Sequence, residues 1–178
     1  MWNLLFLFIL ASPLAFAADS FEKESATLAT ALKTTLVQEL RTQLAAKGAE
    51  EALGFCHANV KALARSAAKD YLDKYEFGRA SHLVRNPQNR PAPWMQDYLA
   101  RFRGLKQGDA NARPVVHTLP DGKRVYLDPL FVQPLCLECH GENVRASLRQ
   151  KIKVLYPADE AVGFKAGQFR GFVWVKEK

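Results

Sequence analysis

The chain has 178 residues, 48% of them hydrophobic and 24% charged, with a formal net charge of +7. That length suits one domain of ordinary size, and no internal repeat or low-complexity tract suggests a solenoid or a disordered tail. The basic residues are dispersed, without the compact Lys/Arg block that marks a nucleic-acid arm.

The first predicted element is an export signal. Leu4 to Leu10 form an apolar run, followed by Pro13 and an A-x-A cleavage pattern at Ala15-Phe16-Ala17. No Lys or Arg precedes the run, so the terminal amine alone supplies the positive end. The run falls short of the roughly 20 apolar residues of a membrane span, so no span is expected after cleavage. Residues 1–17 are therefore read as a signal peptide and residues 18–178 as one mature domain in the periplasm. Export also argues against a nucleic-acid partner.

From Phe21 to Lys47 the spacing predicts an amphipathic helix. Leu28, Leu32, Leu36, Leu40 and Leu44 recur every four residues, and Gly48 ends it. Such a stripe serves core packing or, alternatively, a homodimer formed through the N-terminal helices. A second helix follows from about Ala49 to Leu72. Leu53, Cys56, Val60, Leu63 and Ala67 share its apolar face, which places Cys56 inward and His57 nearer the edge.

Between Gly78 and Pro93, arginine, asparagine and proline dominate, and a loop is expected. A short helix is predicted over Trp94 to Phe102. The remainder reads as strands: Pro114 to Leu119 and Lys123 to Leu127 flank the turn Pro120-Asp121-Gly122, and further strands are expected over Arg149 to Tyr156 and Phe169 to Val175. Helices first and an antiparallel sheet afterwards give an α+β class.

Within the strand-rich part lies Cys136-Leu137-Glu138-Cys139-His140, a C-x-x-C-H run in an apparent loop between Pro134 and Gly141. It is the attachment signature of one covalent haem c. Two thiols at this spacing add to the two vinyl groups of one porphyrin, and the adjacent imidazole reaches the iron. A zinc site would need a second ligand pair, which the remaining Cys56 does not supply. A thioredoxin-like dithiol would open a helix after a strand in a βαβ unit. The candidates for a sixth ligand are Cys56, His57, His82, His117 and Met95, or the position is open. Arg79 and Arg85 are candidate contacts to the haem propionates, because an arginine fork matches a carboxylate.

Several stretches together resemble the PAS-like periplasmic c-haem domains, found alone or as the extracytoplasmic part of histidine kinases and chemoreceptors. They are Phe55-Cys56-His57-Ala58-Asn59-Val60, Gly78-Arg79-Ala80-Ser81, Arg85-Asn86-Pro87-Gln88-Asn89, Trp94, Gln133 to Gly141, and Tyr156-Pro157-Ala158-Asp159 with Ala161, Gly163, Gly167 and Gly171. The resemblance covers nearly all of the mature chain. It implies a PAS-like antiparallel sheet with long N-terminal helices, one covalent haem, and axial ligation by His140 and Cys56, with His57 as the competing donor.

The expected function is redox or diatomic-gas sensing, with nitric oxide or carbon monoxide as ligand and a separate redox or signalling protein as partner. An electron-transfer cytochrome is the runner-up. A peroxidase-like enzyme ranks last, because no distal acid–base pair is visible.

Overall fold

The computed structural model describes residues 19–178, and the signal peptide expected over residues 1–17 lies outside them. Helix α1 (Ser20–Ala67) opens at Asp19, whose side chain accepts from the Phe21 amide at 3.2 Å, a standard N-cap. It is broken once, at Gly48, where φ is 77°. A left-handed conformation costs glycine little, and the chain reverses there into two limbs, residues 20–47 and 49–67. The limbs fold back along each other. Ala64 and Ala67 pack into the same cluster as Leu28 and Leu32, while Leu44 packs against Ala49 and Leu53.

A four-stranded antiparallel sheet follows in the order β1-β4-β3-β2, built from β1 (Tyr75–Ala80), β2 (Val115–Thr118), β3 (Arg124–Phe131) and β4 (Phe169–Glu177). The α+β class with a long N-terminal helix is therefore as expected. Side-chain alternation gives the sheet two apolar faces. Tyr75, Tyr126, Val173 and Val175 meet α1, while Val125, Leu127 and Phe172 meet α2 (Gln96–Phe102) through Leu99 and Phe102. Lys33 binds Asp128 at 2.7 Å and ties the first limb to β3. The hairpin expected around Pro120-Asp121-Gly122 is present, with Gly122 at φ 84°.

Three expectations need correction. Residues 149–156, read as a strand, belong to helix α4 (Ala146–Leu155). Val144, Leu148, Ile152 and Leu155 recur at helical spacing and pack on Ala49 and Leu53, whereas Val154 of the apparent alternation is 74% exposed. The stretch from Gly78, read as a loop, begins as the end of β1, which pairs along β4 from Tyr75↔Glu177 to Ala80↔Phe172. Six residues including a glycine gave too weak a local signal, and pairing with β4 supplies what propensity lacked. The C-x-x-C-H run is helical rather than a loop: Pro134–Cys136 forms a 3-10 turn that leads into α3 (Leu137–His140).

No helix among the described residues is long and apolar enough to cross a membrane.

Candidate cofactor-binding site

The C-x-x-C-H helix is held from both ends. Pro134 starts the 3-10 turn, since its fixed φ suits a first helical position. Gly141 ends α3 where a Cβ would lie 2.7 Å from the Leu137 carbonyl oxygen, so the chain leaves the helix by a path open only to glycine. The backbone then locks onto the segment 159–164: the Phe164 amide donates to the His140 carbonyl at 2.9 Å and the Gly163 amide to that of Gly141 at 3.1 Å.

The same segment fixes the His140 ring. Nδ1 lies 2.6 Å from the Ala161 carbonyl oxygen, which can only accept, so Nδ1 carries the proton and Nε2 keeps its lone pair. Burial, reinforced by the Arg170 and Arg85 cations, pushes the imidazole well below its ordinary pKa and keeps it neutral. A neutral ring with an oriented, unprotonated Nε2 is the form that binds a metal.

All three cysteines are free thiols and half-buried. Burial raises the Cys139 thiol, and the nearby Cys56 and Cys136 sulfurs add to that rise. Cys139 packs against the cluster of Ala49 and Leu53, which brings the C-x-x-C-H segment to the second limb, the one that carries Cys56. The Cys56 thiol is raised by burial and by the Glu39 carboxylate on the opposing limb. His57 is exposed and sets its ring edge-on to Tyr156 at 4.9 Å. The inward and outward directions read from helical phase are those of the structure.

The remaining candidates lie elsewhere. Met95 is buried in the core beneath α2. His117 stacks on Trp94 at 4.5 Å and its Nδ1 is 3.1 Å from the Tyr98 hydroxyl. His82 stacks on Phe169 at 5.8 Å, and its buried Nδ1 has no partner.

The two predicted arginines differ in circumstance. Arg85 grips Asp159, Nε to Oδ1 at 3.1 Å and Nη2 to Oδ2 at 3.0 Å, and its Nη2 also donates to the Cys139 carbonyl at 2.6 Å. It therefore clamps the C-x-x-C-H backbone, and the carboxylate its fork meets is Asp159. Arg79, half-buried on β1, makes no ion pair among the described residues, and burial depresses its pKa.

A third arginine, absent from the sequence-based expectations, completes the group. Arg170 on β4 is only 6% exposed. Burial and the Arg79 and Arg85 cations push it down to about 9, an uncomfortable state for a guanidinium. A lone charge in Phe169-Arg170-Gly171-Phe172-Val173-Trp174-Val175 was the available signal. The composition of a strand, however, does not reveal whether a counter-ion faces that charge.

The site thus combines two thiols, one oriented imidazole, a third thiol from the opposite element and a cluster of cations. Thiols and an unprotonated imidazole nitrogen are metal donors, and the cations suit a cofactor that carries carboxylates. Residues 15–177 match the model of the Tll0287-like family. The crystal structure of the cyanobacterial haem protein Tll0287 superposes with a TM-score of 0.62 at 24% identity, over 89% of this chain and 95% of that one. At that identity the likeness speaks to the fold alone. No curated protein matches the chain.

Proposed function

Since the chain belongs to the Tll0287-like family, we propose that it is a periplasmic c-type cytochrome whose PAS-like domain senses redox state or a diatomic gas. Cys136 and Cys139 would hold one haem through thioethers, and His140 and Cys56 would be the protein groups that bind its iron. The observation that carries this reading is the fixed tautomer of His140, whose Nδ1 is committed to Ala161 at 2.6 Å and whose Nε2 is left to a metal. The solved relative being a haem protein supports it as well.

The residues present fit the group. Three thiols are unpaired, the motif imidazole is pre-oriented, and the cations near it outnumber the acids that answer them. When bound, haem supplies an iron centre that takes up an electron or a diatomic ligand. His140 stays fixed through the Ala161 carbonyl and the Phe164 amide. Cys56 would serve as a thiolate donor in the oxidised state, because a thiolate favours ferric iron. Once that centre is reduced or carries nitric oxide or carbon monoxide, the Cys56 sulfur would be free to hold a proton as the thiol. The second limb of α1 then relaxes, and a separate signalling or redox protein reads that change.

Absorption and EPR spectra of protein matured with haem c test this in both oxidation states, with and without carbon monoxide or nitric oxide. A ferric thiolate signature that disappears in Cys56→Ala, and haem that resists denaturation except in Cys136→Ala/Cys139→Ala, are the expected results. A bis-imidazole spectrum unaffected by Cys56→Ala would move the sixth position to His57. Unchanged ligation in both oxidation states, with no gas binding, would leave an electron carrier.

A further inference from the structure

We propose that Arg170 and Arg79 together form the carboxylate-binding end of this site and seat the haem propionates. The inference rests on the haem reading above. It moves the anion-binding role away from Arg85.

Arg170 is built in before any ligand arrives. Its Nη1 donates to the Ser81 hydroxyl and, at 3.0 Å, to the Leu83 carbonyl, while Ser81 Oγ itself donates to the Arg170 carbonyl at 2.9 Å. The guanidinium lies over the Phe164 ring with its carbon 5.0 Å from the centroid. The side chain is thus fixed on two neutral oxygens and a ring, none of which carries negative charge. Its Nε is buried without a partner. Neither Arg170 nor Arg79 enters an ion pair among the described residues. Asp159, the acid that acts on Arg170, is already taken by Arg85 at 3.0 Å.

A guanidinium buried like that of Arg170 is costly unless an anion neutralises it. Phe164, beneath the Arg170 guanidinium, belongs to the cluster against which Cys136, one of the two attachment points, packs, and Arg79 stands two residues before Ser81, whose hydroxyl Arg170 holds. A macrocycle held at Cys136 and Cys139 brings two carboxylates with it. Two unanswered guanidiniums and one orphaned N–H match that demand in charge and donor type.

The test uses the holoprotein and compares wild type with Arg170→Gln, Arg170→Lys, Arg79→Gln and the exposed loop control Arg90→Gln. Glutamine ends where Nε stands and gives up both the charge and the Nη1 bonds to Ser81 and Leu83, whereas lysine gives up that bonding pattern but keeps the charge, so the pair of variants separates charge from structural bonding. The proposal expects the propionate bending bands in the resonance Raman spectrum to shift in Arg170→Gln and in Arg79→Gln. It also expects the reduction potential to fall in both, since losing a cation favours ferric iron. Arg170→Lys should restore most of each shift, and Arg90→Gln should change neither. Should Arg170→Gln not fold, Arg79→Gln decides alone, because that side chain holds nothing else in place. Covalent haem with unmoved bands in these variants overturns this proposal and leaves the cytochrome reading intact. A protein that attaches no haem overturns both.

Discussion

Asp159 does three jobs with one carboxylate. It accepts from Arg85 through both oxygens at 3.1 and 3.0 Å, and from the Ala161 amide at 3.0 Å. It thereby shapes the turn whose carbonyl orients His140. The pair is buried, with side-chain exposures of 9% and 8%. Asp159→Asn would leave Arg85 buried beside Arg170 and Arg79 with no acid. The expected loss is about 3 to 5 kcal/mol, the usual cost of breaking a buried pair from one side, measured by chemical denaturation against wild type. A loss below about 1 kcal/mol would mean that solvent reaches the pair. At this scale the sequence was informative wherever a residue type carries its own chemistry. The C-x-x-C-H run and the inward phase of Cys56 could be read from the chain, and the structure gives His140 a fixed tautomer and Cys56 a half-buried setting. Arg85 and Arg170 were not separable, because what distinguishes them is which acid each one meets, and Asp159 lies 74 positions from Arg85.

Helix α4 links the two halves of the site. It follows the C-x-x-C-H helix directly in the chain and packs on the limb that carries Cys56, with Leu148 and Ile152 buried against Ala49 and Leu53. Ion pairs decorate the same interface, Lys151 with Glu51 at 2.9 Å and Arg145 with Glu50 at 3.5 Å. Each pair has one well-exposed member, so packing should dominate. Leu148→Ala is expected to cost about 2 to 5 kcal/mol, the range for a buried leucine. Glu51→Gln should cost less than about 1 kcal/mol. Thermal or chemical unfolding of the two variants checks the order, and a larger effect for Glu51→Gln would reverse the argument. Mistaking this element for a strand has a specific cause. Ile152, Val154 and Tyr156 alternate by chance over three positions, and only the longer window from Val144 reveals a helical period.

Across the whole molecule, stability should depend on pH through a histidine outside the proposed ligand set. His82 is lowered to about 4, mainly by burial and then by the Arg103 and Arg170 cations. The unfolded chain takes up its proton near the ordinary value of 6.5 and the folded one only near 4, so acid favours unfolding. The contribution of this group is complete above about pH 6.5 and is lost as pH falls through about 4. Wild type should lose thermal stability over that window and His82→Gln should lose less; equal slopes would assign the acid sensitivity to other groups. At this scale the class was readable and the connectivity was not. The long helices and the β2–β3 hairpin announce themselves locally, but β1 exists because β4 is there to pair with it.

The reversal at Gly48 carries a consequence for donor choice. A joint of one residue contains no slack, so the angular setting of everything beyond it is inherited from the first limb. Each residue of an α-helix turns the chain by about 100°. Removing one residue between Gly48 and Cys56 would carry the thiol a quarter turn and more away from Cys139 and deliver the imidazole of His57 to its place. Whether a thiol or an imidazole faces Cys139 is therefore written in the count of residues from that glycine as much as in the residues themselves.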